Sequence, residues 1–205
     1  ETASAIKEVG SVFNRAVQNF DDEKVKETSI QLYEIAKGII ESRRENPMDP
    51  EDDVTSALMA TIYEGNPLPD DLVLGTIRQL LVVGMIAPSL LIGSIIIHLA
   101  GDTDLQNKLR QDMSLLPKAL EEFLRLYTPY RGFARTANRD VEMGGRLIRE
   151  DEPIALVYSS ANRDEAVFEN PDEFDMDRPN LDQHIAFGMG PHQCAGAALA
   201  RLMLQ

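Results

Sequence analysis

Eighteen consecutive residues, Leu80 to Ile97, carry no charged side chain, and they lie inside a longer stretch that contains no turn cluster. From Asp70 to about Ala100 the spacing predicts one helix, which at about 1.5 Å per residue spans roughly 45 Å. A helix this long and this apolar has two homes. It crosses a bilayer, or it runs buried through the middle of a large domain. Pro88, Ser89 and Ser94 weaken the first reading, and no basic flank orients the segment.

The residues before it also read as helices. Leu32, Ile35, Ala36, Ile39 and Ile40 recur at i, i+3, i+4, so 23–44 is an amphipathic helix. Arg43 and Arg44 suit its C-terminal end, and Pro47 stops it. Asp49 to Asp53 gives an acidic start to a second helix with Val54, Leu58 and Ile62 on one face, and Glu64-Gly-Asn-Pro67 reads as a turn. After the long helix, Thr103-x-x-Gln106 has the form of a capping box opening a short helix with Leu105 and Leu109. Pro117 suits the first turn of another, 118–127, with Leu120, Phe123, Leu124 and Tyr127 inward.

Past Pro129 the pattern changes. Val141 to Ile148 reads as a hairpin turning at Gly144-Gly145, and Pro153 to Tyr158 as a further strand. A Pro-rich acidic loop covers 170–180, and a helix starts near Ala195. The fold class is mainly α with a small β-sheet, α+β. The chain opens without Met and stops inside an apolar helical pattern with no C-cap signal, so it is expected to be a piece of a longer protein.

The formal charge of −14 argues against nucleic acid or an anionic membrane surface as partner, since both select Lys and Arg. One cysteine forbids an intrachain disulfide and agrees with a reducing, cytoplasmic setting. The first residues, Glu1 to Lys7, are polar and mixed and show no signal-peptide pattern.

That cysteine lies in the most informative stretch, Phe187-Gly-Met-Gly-Pro-His-Gln-Cys194-Ala-Gly196. A glycine-rich loop here delivers one thiol to the start of a helix. A helix N-terminus favours thiolate over thiol, and loop N–H groups hydrogen-bond the sulfur. Gly188, Gly190 and Gly196 let backbone approach a flat ligand closely. From residue types alone, three other readings stay open: a small buried hydrophobe, half of a zinc site with His192, or a nucleophile. The only further histidines for a zinc site are His98 and His184.

The ten positions resemble the cysteine-loop signature of the cytochrome P450 family: Phe187, Gly188, Gly190, a basic residue two before Cys194, and Gly196 two after. Upstream, Glu122-Phe-Leu-Arg125 stands where that family carries its Glu-x-x-Arg motif. Phe174-Asp-Met-Asp-Arg178-Pro resembles the family's aromatic-x-x-x-Arg loop. The resemblance covers nearly the whole of residues 1–205 and places them as the central and C-terminal part of a single P450 domain about twice as long. It implies haem b (iron protoporphyrin IX) with Cys194 as the axial metal ligand, and a buried brace of Glu122, Arg125 and Arg178. It also implies that Arg135 and His192 bind the haem propionates, with residues 130–133 facing substrate. It makes the long helix a core helix of that fold, which retires the membrane reading.

One departure stands out. The family's long helix usually carries an acid followed by Thr beside the oxygen site, where they help deliver protons. Aligning Gly84 puts Ala87 and Pro88 at those places, and neither relays a proton. Pro88 lacks an N–H and clashes with the carbonyl of Gly84, so a kink and a freed carbonyl are expected there. Either Ser89 or an ordered water replaces the alcohol, or Pro88 only shapes a pocket and Ser89 bonds back to a helix carbonyl.

The implied function is a monooxygenase that takes O2, a small-molecule substrate and electrons from a ferredoxin or flavoprotein. A thiolate ligand favours O–O cleavage. The pocket residues Val83, Ala87, Tyr130 and Phe133 point to a largely apolar substrate. The missing acid-alcohol pair motivates a peroxygenase or isomerase instead, and a haem-binding sensor is the reading from a non-catalytic class.

Overall fold

The computed structural model describes residues 2–205, and the chain parts into two units, one running through Ile86 and the other from Ala87. In the first, α1 (Thr2–Gln18) packs on α2 (Asp22–Glu45). The carboxylate of Asp21 caps α2 by accepting from the Lys24 amide at 3.0 Å. Ala36 and Ile40 of α2 are buried with Val73 and Ile77 from α4 (Asp70–Gly101), the long apolar helix. Close fit continues at Gly10, where a Cβ would sit 2.4 Å from the Met85 methyl.

Between these helices, α3 (Val54–Ala60) is shorter than its pattern predicts. Ile62 does not extend its face. It begins β1 (Ile62–Tyr63), which pairs with β2 (Asn66–Pro67). The cause is local: Glu64 and Gly65 both take positive φ, 49° and 81°, closing a two-residue hairpin turn that pulls the chain out of the helix.

Helix α4 runs unbroken through Pro88, whose ring is buried. By length and composition alone it is long enough to cross a membrane, and only 17% of its most apolar window is buried within this chain.

The second unit contains α5 (Thr103–Gln111), a 3₁₀ turn at Met113–Leu115, α6 (Leu116–Leu126), four short strands, α7 (Tyr158–Ala161) and α8 (Ala197–Leu204). The capping box expected at Thr103 is not there. Asp102 is the N-cap, its carboxylate accepting from the Leu105 amide at 2.9 Å, while Gln106 Nε2 donates to the Leu99 carbonyl at 3.0 Å. Two candidate caps stand side by side, and the one in non-helical backbone (φ −127°) takes the role. Pro117 does lie in the first turn of α6, and Leu105, Leu109, Leu120, Phe123 and Leu124 are buried as the periodicity requires.

Strand β3 (Phe133–Thr136) pairs antiparallel with β6 (Pro153–Leu156), Phe133 opposite Leu156 and Arg135 opposite Ile154. Strand β4 (Val141–Met143) and β5 (Arg146–Ile148) form the expected hairpin, with Gly144 and Gly145 at φ 58° and 75°. The segment 153–158 is a strand only as far as Leu156, because Val157 opens α7. Three two-stranded ribbons thus supply all the β structure among the described residues.

Candidate haem-thiolate site

Helix α6 is amphipathic, yet it carries Glu122 and Arg125 on its buried side, both 0% exposed. Spacing of three residues brings them together: Arg125 Nε and Nη2 donate to the two carboxylate oxygens at 2.7 Å each. Arg178 Nε adds a third bond to Glu122 at 3.0 Å, and the Asp175 amide a fourth at 2.9 Å. The remaining arginine donors reach loop carbonyls. Arg125 bonds those of Asn162, Pro171 and Glu173, and Arg178 those of Glu169, Asn170 and Glu173. The 169–175 loop is therefore wrapped around two guanidiniums that share one carboxylate, and its carbonyls take up the positive charge left over. Burial of these charges is tolerated because each is paired and hydrogen-bonded.

Asn162, also fully buried, carries this brace toward the cysteine loop. Its carbonyl accepts from Arg125 at 2.8 Å, its amide nitrogen donates to Thr128 Oγ1 at 2.8 Å, and its amide oxygen accepts from the Ile185 backbone at 2.8 Å. Two residues on, the Phe187 ring packs against the buried Leu91, Leu120 and Leu124. The Cys194 amide donates to the Phe187 carbonyl at 2.8 Å, closing the loop on itself. Gly188 and Gly190 take φ of 71° and 75°, where other residues are strained. A Cβ on Gly196 would lie 3.8 Å from the Cys194 sulfur, so the sulfur rests against bare backbone. The thiol is exposed.

Alongside runs an aromatic row. Tyr130 and Phe133 have ring centroids 5.5 Å apart, and Phe133 and Tyr158 5.9 Å. The Tyr158 hydroxyl lies 3.5 Å from where a Gly188 side chain would begin. Burial, with the charge of the Cys194 sulfur, pushes the Tyr130 hydroxyl above its ordinary value. Gly132 lets its segment pass close to the facing strand: a Cβ there would run into the Leu156 carbonyl oxygen.

Arg135 is exposed on β3, its Nη1 donating to the Ala134 carbonyl at 2.9 Å. His192 is exposed in the 3₁₀ turn two residues before the cysteine. Among the described residues no hydrogen bond joins Arg135, His192 and Cys194, so the structure gathers the cysteine loop and the aromatic row but does not itself link the two cations. On α4, Ser89 is exposed, Pro88 buried and Gly84 half-buried with open space where a side chain would project.

Four participants are not announced by the sequence. Asn162 is one. Glu121, His184 and Arg201 are the others: Glu121 accepts from Arg201 Nε and Nη2 at 2.6 and 2.8 Å and from His184 Nε2 at 2.9 Å. Partial burial pushes the Glu121 carboxyl up, but the hydrogen bonds from Arg201 and His184, with the Arg201 charge, outweigh it and lower it to about 2. No local pattern announces a partner eighty residues away.

A sequence model of the family Cytochrome P450 matches residues 11–205. The chain belongs to the cytochrome P450 family. It is 36% identical over 193 residues to Cytochrome P450 107B1 of Saccharopolyspora erythraea, covering 94% of this chain and 47% of that protein. It is 36% identical over 183 residues to a Steroid C26-monooxygenase of Mycolicibacterium smegmatis, covering 89% of this chain and 45% of the relative. The crystal structure of CYP109E1 from Bacillus megaterium in complex with testosterone superposes with a TM-score of 0.85 at 31% identity, covering 97% of this chain and 53% of the other. The P450 chain thus spans about half the length of the curated relatives it matches.

The family implies a haem, and the donor set agrees with it. Among the described residues no group of three or more His, Cys, Asp or Glu could hold a bare ion. Phe133, Leu156, Val157 and Met189 are exposed apolar side chains that fit the wall of a flat macrocycle, and Arg135 and His192 are exposed with N–H groups of the kind its acidic substituents require.

Proposed function

We propose that the intact protein is a haem-thiolate monooxygenase of the cytoplasm, with haem b held by Cys194, and that residues 1–205 are the central and C-terminal part of one domain. The observation that carries the reading is an exposed thiol at the end of a loop whose start is tied, through Asn162 and Ile185, to the buried Glu122-Arg125-Arg178 brace. When bound, a thiolate-ligated haem supplies activation of O2 for insertion of one oxygen atom into a substrate. The protein holds and orients. Phe187 fixes the start of the loop, and Gly188, Gly190 and Gly196 permit close approach. Arg135 and His192 pair with the propionates. Tyr130, Phe133 and Ala87 receive a small, largely apolar molecule, a reading supported by a relative named for steroids and a matching structure solved with testosterone. A ferredoxin or flavoprotein supplies electrons. Helix α4 is a core helix, its uncovered faces packed by the other half of the domain.

On α4 the proton route is unusual, because Ala87 and Pro88 stand at the places of the acid and the alcohol. Pro88 removes a backbone donor opposite the Gly84 carbonyl, and Ser89 or a water takes the part of the alcohol. The same substitution supports a second reading, a peroxygenase or isomerase that needs no such route. A reduced carbon monoxide difference spectrum of the intact protein tests the haem ligand: a Soret band at the thiolate position is expected, absent in Cys194→Ala. A histidine-type band would end the proposal. Ser89→Ala is expected to lower product formed per reducing equivalent, and turnover with peroxide alone would favour the second reading.

A further inference from the structure

Two glutamates stand next to each other on α6 and serve different partners. Glu122 points into the arginine brace. Glu121 is half-exposed and gathers the two ends of the cysteine loop. On one side, His184 Nδ1 accepts from the Ala186 amide at 3.2 Å, so the ring proton sits on Nε2 and is donated to Glu121 at 2.9 Å. On the other, Arg201 of α8 grips the same carboxylate through two bonds, at 2.6 and 2.8 Å. The Arg201 guanidinium also lies over the Phe187 ring, 4.7 Å from its centroid. Phe187 in turn holds the Cys194 amide through its carbonyl at 2.8 Å.

Cys194 therefore sits between two anchors, Phe187 before it and α8 after it; Leu204 of α8 packs on the same buried leucines as Phe187, and the Glu121–Arg201 ion pair fixes the two polar ends relative to each other. The loop between them is held in the left-handed backbone of Gly188 and Gly190. Its ends decide where the sulfur points. We propose that Glu121 and Arg201 are positioning residues for the Cys194 sulfur, aligning it as an iron ligand by clamping α8 onto Phe187. This rests on the haem-thiolate reading. A planar guanidinium is suited to the task, since it forms a two-point bond to a carboxylate in its plane while its face covers a ring. A part-exposed ion pair by itself contributes little to stability. The pair's signature is therefore a disproportion: small loss of stability, large change at the sulfur.

The test uses the intact holoprotein. Arg201→Gln is expected to move part of the reduced carbon monoxide band from the thiolate to the protonated-thiol position and to shift the iron reduction potential upward. Haem transfer to apomyoglobin should speed up by about ten- to a hundredfold, as for loss of other groups that orient a metal ligand. Arg201→Lys, which keeps the charge but not the two-point bond or the stacking, should fall between. Arg163→Gln serves as control, because Arg163 also bridges a carboxylate, Asp172, and a helix-end carbonyl, Leu126, and should leave the band in place. An Arg201→Gln protein with the wild-type band, potential and haem-loss rate overturns the proposal. If that variant does not accumulate folded, Glu121→Gln is measured in the same three ways, and wild-type values there overturn the proposal equally. A wild-type protein without a thiolate band would instead sink the functional reading, so the two failures are distinct.

Discussion

Glu122→Gln tests whether the buried brace holds the second unit together. The carboxylate accepts four hydrogen bonds, three of them on Oε1, and both arginines it pairs with are under 10% exposed. Glutamine keeps the shape and one oxygen. It turns an amide donor toward Arg125 Nε, and it leaves two guanidiniums facing no anion. Removing one partner of a buried pair costs about 3–5 kcal/mol. Against a total of about 5–15 kcal/mol this is roughly a fifth or more of the stability. Urea unfolding of the intact protein, followed by far-ultraviolet circular dichroism, should show a midpoint lower by about 1 M or more at unchanged slope. A second variant sharpens the reasoning. Replacing an isolated buried pair by apolar side chains is often neutral or stabilising. Here the guanidiniums also satisfy five loop carbonyls, those of Asn162, Glu169, Asn170, Pro171 and Glu173. The triple variant Glu122→Leu, Arg125→Met, Arg178→Met should therefore stay destabilised. A Glu122→Gln loss under about 1 kcal/mol, or an apolar triple variant as stable as wild type, would refute the argument.

Gly132→Ala drives a methyl group into the Leu156 carbonyl, in backbone that cannot step aside, and should cost about 1–3 kcal/mol by thermal unfolding. Asp53→Ala removes the α3 N-cap and the Arg43 partner, and should cost about 1 kcal/mol in a urea titration. Glu121 has its carboxyl lowered from 4.5 to about 2, so its contribution is whole above the unfolded value and fades as pH falls from about 4.5 to about 2. Stability of wild type measured across that window should fall more steeply than that of Glu121→Gln; parallel curves would contradict the assignment.

Periodicity was enough for α2, α4 and α6, because each is long and its apolar residues repeat. The Gly144-Gly145 hairpin was equally plain. Errors came where two local signals competed. Asp102 and Thr103 are both good caps, and backbone geometry chose the first. Ile62 fits a helical face, yet the Glu64-Gly65 turn claims it. At the site, the cysteine loop and the brace could be named by resemblance, whereas from spacing alone Glu122 and Arg125 look like a solvated pair. Their burial is decided by a loop some fifty residues later. Asn162, His184 and the Glu121–Arg201 pair were invisible for the same reason.

The loop at 169–175 gives the two arginines main-chain oxygens and gives Glu122 one amide, so what it needs from Pro171 or Glu173 is a path and not a side chain. Its course is written on α6 and Arg178 instead. Such a segment can drift widely in composition between related proteins while tracing the same curve. The two cations and the one anion that mould it have no such freedom.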